Sequence, residues 1–268
     1  LVLWLGRRVL PDNPPGRAHG VIHKRDVLFN VLMFSLIFIG ADLLAMKGAS
    51  GGADWRAWGL AMMVAAVAVG YYYMRRQATL EVPLFPVDLM RLPVFALSMA
   101  ASVCAFAGMS LANVAMPFLL QEAYHRTPFQ AGMLLTAWPA AIVVMAPLAG
   151  RLIGRVNSGV LGGIGMALMA CGLLALALLP DQPSNVDIAW RLALAGAGFG
   201  LFQSPNNHTI VTSPPPNRAG AASGMLGTAR LTGMTLGAVL VAQIFAKWPP
   251  AQGHGPFVAI AVGVGAAV

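Results

Sequence analysis

Seven long apolar stretches, joined by short loops of alternating basicity, confine this chain to a bundle of membrane-spanning helices. Six read as complete, at 27–46, 57–74, 92–120, 130–150, 159–179 and 188–211, and a further one runs over 220–245. A bilayer core takes roughly 20 apolar residues to cross as a helix. Residues 256–268 open another stretch, but its 13 residues extend only about 20 Å, too short to cross. Residues 1–5 read as the tail of an earlier span. The expectation is an all-α polytopic membrane protein, present as a segment cut inside a helix at both ends.

Composition supports the membrane class: 58% of residues are hydrophobic and only 10% are charged. The net charge of +8 does not indicate nucleic acid, because no basic stripe alternates with aromatic residues along a polar surface. Positive charge gathers instead at one end of successive spans. Arg7, Arg8, Arg17, Lys24, Arg25, Arg75, Arg76, Arg91, Arg151, Arg155 and Arg218 put 11 cations on one side. Lys47, Arg56, Arg126, Arg191 and Lys247 put 5 on the other, with Arg230 inside a span. The basic side should be cytoplasmic. Cys104 and Cys171 lie apart within apolar spans, without metal-ligand spacing, and read as small packing residues.

Two polar connections divide the chain. Residues 11–24 (PDNPPGRAHGVIHK) read as a linker, and 77–91 as a second loop able to form an interfacial helix. The expected organisation is 1–25 (end of a span and linker), 26–74 (two-helix insert), 75–91 (loop) and 92–268 (helical bundle). Glycines four apart recur at Gly159/Gly163, Gly196/Gly200, Gly220/Gly224 and Gly233/Gly237, and share a helix face where backbones can approach. The last two pairs are expected to mark a tight seam.

Enzyme signatures are lacking: no nucleophile elbow, zinc-protease, P-loop or dinucleotide fingerprint stands in a suitable context. Polar groups inside spans carry more information, since each is costly in hydrocarbon. The densest run is Phe199-Gly-Leu-Phe202-Gln203-Ser204-Pro205-Asn206-Asn207-His208. Gln203, Asn206 and Asn207 share a helix face, either lining a cavity or bonding neighbouring helices. Pro205 should bend or loosen this helix, and His208 reads as a structural hydrogen-bonder. Arg230 lies ten residues past Gly220, about 15 Å along the axis and so near mid-membrane. It needs a carboxylate, helix carbonyls or a wet cavity, and Asp42 and Glu122 do not share its depth. Asn113 with Pro117, and Trp138 with Pro139, punctuate two further spans. Asn113 reads equally as path-lining or as packing.

Two stretches carry a family resemblance. Residues 147–155 (PLAGRLIGR) resemble the degenerate second copy of the loop motif of the major facilitator superfamily, with Gly150, Arg151, Gly154 and Arg155 at its marked positions. Gly154 stands in place of the motif's usual Asp, which removes the charge-relay form of the gating lock. Residues 198–207 (GFGLFQSPNN), followed by 218–233 (RAGAASGMLGTARLTG), look like the fourteen-span drug:proton antiporters of that superfamily. The resemblance implies two six-helix bundles separated by a two-helix insert, in a bacterial inner membrane. It implies proton-driven export of hydrophobic or cationic compounds by alternating access, without a cofactor. It also places the proton-carrying acid in an N-terminal half outside this chain. Asn113, Trp138, Phe202, Gln203, Asn206, Asn207 and Arg230 become candidates for the substrate cavity. A carrier of one specific metabolite is the competing reading.

Overall fold

The computed structural model describes residues 24–45, 54–77, 79, 87–250 and 254–268. Residues 1–23 of the span end and linker expected at 1–25 lie outside the described residues, as do 78 and 80–86 of the loop expected at 75–91. Among the described residues, nine α-helices follow one another: α1 (Lys24–Ala45), α2 (Asp54–Gln77), α3 (Pro93–Phe118), α4 (Pro128–Leu135), α5 (Ala137–Leu152), α6 (Ser158–Ala177), α7 (Asn185–Thr212), α8 (Ala219–Lys247) and α9 (His254–Ala267). Among the described residues, six helical segments are long and apolar enough to cross a membrane, with α4 and α5 counted as one. The 28-residue α7 is not among the six, and it carries the polar run Gln203–Asn207. Helices suit such sequences because hydrocarbon offers no partner to a free backbone amide. The chain is an all-α multi-pass membrane protein.

Proline and small polar residues set the joints. Pro93 opens α3, where its missing N–H costs nothing. Near the other end, Pro117 removes a donor, and the helix widens into a π turn at Leu119–Ala123. The span expected at 130–150 is two helices, α4 and α5, which meet at Thr136. A capping box starts α4: Thr127 and Gln130 bond each other's backbone amides reciprocally. Asn157 and Ser184 cap α6 and α7. Despite Pro205, α7 runs unbroken.

Two bodies of packing result. In the first, α1 and α2 form a hairpin, with α1 also touching α8. The Arg76 guanidinium meets the buried Asp26 carboxylate at 2.7 Å, and Asn30 donates to the Tyr73 hydroxyl at 3.4 Å. In the second, α3 and α5–α9 pack through the pairs α6–α7, α5–α7, α3–α8, α3–α9 and α6–α9. The main core joins Leu111, Met116, Met169, Leu173, Leu192 and Ile260. Cys104 and Cys171 lie on exposed faces and do not pack in this core, which corrects their reading as packing residues.

Glycine positions decide how close these helices come. A Cβ on Gly233 would lie 2.5 Å from the Val103 carbonyl oxygen, and one on Gly237 2.5 Å from that of Ala107. The α3–α8 seam therefore requires both glycines, and the Ser110 hydroxyl closes it by donating to the Met234 carbonyl at 2.8 Å. Gly196 and Gly200 set the α5–α7 seam against Trp138 and Ile142. The expected partner pair, Gly220/Gly224, meets nothing within 4 Å, because α8 turns that face away from its neighbours. The α6–α7 seam rests on Gly165, Gly172 and Gly198, whose spacing is not four, so pair counting passes over it.

Candidate functional site

The helices alternate in direction, so their ends gather on two sides. The basic end holds Arg75, Arg76, Arg91, Arg151, Arg155 and Arg218, and there Arg218 pairs with Asp88 at 2.9 Å. At the opposite end, Tyr124 donates to the Pro180 carbonyl at 3.0 Å and Arg126 to that of Pro183 at 3.0 Å. Burial, with Asp181 adding to it, raises the Tyr124 phenol above its usual range, so it stays a donor. Arg191 completes this end. It binds Asp187 at 3.1 Å and donates to the Ala175 and Leu178 carbonyls that end α6.

Three contact rows on α7 leave one strip free. Gly196, Gly200 and Ser204 face α5; Gly198 and Phe202 face α6; Phe199 and Asn206 face α3. Gln203 and Asn207, four apart, fall between the α3 and α5 rows. Both are half-buried, and neither makes a side-chain hydrogen bond among the described residues. The polar run expected to share one face is therefore split. Asn206 turns into the bundle and donates to the Ser102 hydroxyl at 2.7 Å and the Ser98 carbonyl at 3.3 Å.

The same open side receives Arg230. Its guanidinium stands 5.0 Å from the centroid of the Phe106 ring, and Phe106 meets Phe199 edge-on at 5.2 Å. Arg230 is exposed and makes no ion pair among the described residues; Asp42 and Glu122 are exposed elsewhere. The sequence calls for a carboxylate, helix carbonyls or a wet cavity around this cation; the aromatic face it meets comes from a residue far away in sequence. Asn113, on the Phe106 side of α3, is also exposed. Toward the basic end, Leu89, Phe95, Met99, Ile210, Met225 and Ala229 form an apolar cluster that joins α3, α7 and α8 beside Arg230. The open side is polar at mid-depth and floored by apolar packing.

Trp138 and Phe202 sit elsewhere. Trp138 is buried at 4% exposure beneath Gly196, its indole N–H without a partner among the described residues. Phe202 is buried against α6, and with Asn206 it borders a separate crevice of about 650 Å³ between α3, α6 and α7. Of the loop-motif residues, Gly154 adopts φ 83°, a left-handed turn that a glycine enters without strain. Arg151 and Arg155 are exposed beside it and unpaired among the described residues. Among the described residues, no group of three or more His, Cys, Asp or Glu side chains could hold a metal ion.

Known proteins agree with this architecture. The chain is 45% identical over 262 residues to the uncharacterized transporter YebQ of Escherichia coli (strain K12), which covers 98% of this chain and 56% of that protein. It is 26% identical over 251 residues to the multidrug resistance protein Stp of Mycobacterium tuberculosis, covering 92% of this chain and 45% of that one. A probable actinorhodin transporter of Streptomyces coelicolor is 27% identical over 227 residues, covering 81% and 39%. The chain thus spans about half the length of these curated relatives. The sequence profile described as Major Facilitator Superfamily matches residues 27–238, from the hairpin through the α3–α8 seam. With that match added to its antiparallel spans and glycine seams, the chain belongs to the Major Facilitator Superfamily.

Proposed function

We propose that this chain supplies the insert and C-terminal half of a proton-coupled exporter of the fourteen-span drug:proton antiporter type. It would work by alternating access in a bacterial inner membrane. The observation that carries this reading is a polar set on one open side, Gln203, Asn207, Asn113 and Arg230, without side-chain hydrogen bonds or ion pairs among the described residues. Such groups are costly against hydrocarbon, and a wet cavity closed by a second six-helix bundle relieves that cost. Phe106 and Phe199 add aromatic surface suited to hydrophobic compounds. The names of two relatives, a multidrug resistance protein and a probable actinorhodin transporter, support export of such molecules.

Arg230 also favours a second reading. An unpaired cation repels cationic drugs, so their export requires a carboxylate from the N-terminal half to neutralise it. A neutral or anionic substrate needs no such partner, which fits a carrier of one specific metabolite.

Efflux of ethidium or methyl viologen from cells expressing the complete gene, with and without a protonophore, tests the proposal. Uncoupler-sensitive efflux above the empty-vector rate is the expected result. Absent efflux despite confirmed membrane expression would overturn the multidrug reading. Uncoupler-insensitive efflux would overturn proton coupling.

A further inference from the structure

On the flank of α8 turned away from Arg230, the α1–α2 hairpin stands off from the bundle and leaves a crevice of about 560 Å³. Its hairpin wall carries Phe34, Phe38 and Met63, with the two Phe rings 5.9 Å apart. Its α8 wall presents Thr232, Thr235, Leu236, Val239 and Gln243. From Thr232 to Gln243 the wall extends about 16 Å, near half of the roughly 30 Å hydrocarbon core. All three bordering helices are candidate membrane spans, so the crevice opens sideways into lipid.

The hydroxyls on this wall differ from several others on or next to α7 and α8. Thr209, Thr212, Ser213, Ser223 and Thr228 each donate to the carbonyl four residues back, satisfying the hydroxyl inside its own helix. Thr232, Thr235 and the Gln243 amide make no side-chain hydrogen bond among the described residues. Thr232 and Thr235 lie near the middle of the 29-residue α8, where water is scarce and lipid tails have nothing to offer a hydroxyl. A lipid tail would fill the volume but leave these groups unmatched. An aromatic molecule with its own hydroxyl or carbonyl would match the tilted ring pair and the polar wall together. The volume falls within the range of roughly 300–1,000 Å³ common to small-molecule sites.

We infer that this crevice is a second ligand site, entered from the bilayer, for apolar aromatic molecules that bear a hydrogen-bonding group. It requires only that the helices lie in the membrane, so its failure and that of the export reading are separable.

The test is photocrosslinking of the purified full-length protein, in nanodiscs, with 4-hydroxybenzophenone, the labelled residues mapped by mass spectrometry. Labelling at Leu236 and Val239 should saturate with probe, while the exposed Val64 and Val67 of α2 label in linear proportion. The shape-preserving pair Thr232→Val with Thr235→Val should reduce crevice labelling at least about five-fold without changing melting temperature. Ala41→Trp, which fills the crevice, should abolish it. Labelling that rises linearly at every position, or that is equal in wild type and the Val pair, overturns the proposal and leaves the crevice to lipid chains.

Discussion

The guanidinium of Arg230 rests on the face of Phe106 at 5.0 Å, and this contact ties α8 to α3 at mid-membrane. A cation–π contact of this kind contributes on the order of 0.5–2 kcal/mol, rising as water is excluded. It holds the cation in place without neutralising it, so Arg230 remains available to a substrate or to a carboxylate of the other half.

Replacing Phe106 with Leu keeps apolar volume but removes the ring face. Transport should fall several-fold while membrane expression holds. Arg230→Ala should abolish transport, and Arg230→Lys should retain part of it. Efflux rates normalised to protein level check this, and full activity in Arg230→Ala would show that the residue is dispensable.

Gly233→Val should be severely destabilising, because its side chain meets the Val103 carbonyl and the Phe106 Cβ with no room to shift. Overpacking of this kind costs typically 1–3 kcal/mol or more. Gly163→Ala, with open space around it, should be neutral or slightly stabilising. Thermal melting of the two purified variants in detergent separates seam glycines from incidental ones.

The split of the polar run gives a paired test. Asn206→Ala breaks a buried bond to Ser102 and should lower stability by about 1–2 kcal/mol, with a coupled, non-additive effect when combined with Ser102→Ala. Gln203→Ala and Asn207→Ala should leave melting unchanged and alter the substrate profile. A uniform loss of stability at all three positions would make them packing residues alike.

The Asp26–Arg76 pair joins the two hairpin helices at the basic end. Asp26→Ala should loosen the hairpin, and the charge swap Asp26→Arg with Arg76→Asp should restore part of the loss. Disulfide cross-linking between cysteines placed at Phe29 and Tyr72, whose rings lie 5.3 Å apart, reports it directly. Equal cross-linking in every variant would show that the pair adds nothing.

The helices are legible in the residues alone, because a bilayer rejects any backbone that does not satisfy its own hydrogen bonds, and apolar runs therefore reveal their spans. Their bounds differ from the apolar stretches by only a few residues at most ends. Which polar groups stay free depends on how the helices pack. Asn206, Asn207 and Gln203 share a helix face in one dimension, yet only the position of α3 buries the first and leaves the others open. Gly220 and Gly224 carry the same spacing as Gly233 and Gly237 but meet no neighbour, because spacing marks a face and not what lies opposite it. The aromatic support of Arg230 and the ion pair of Asp26 with Arg76 join residues 124 and 50 positions apart, and such contacts exist only once helices have chosen their partners.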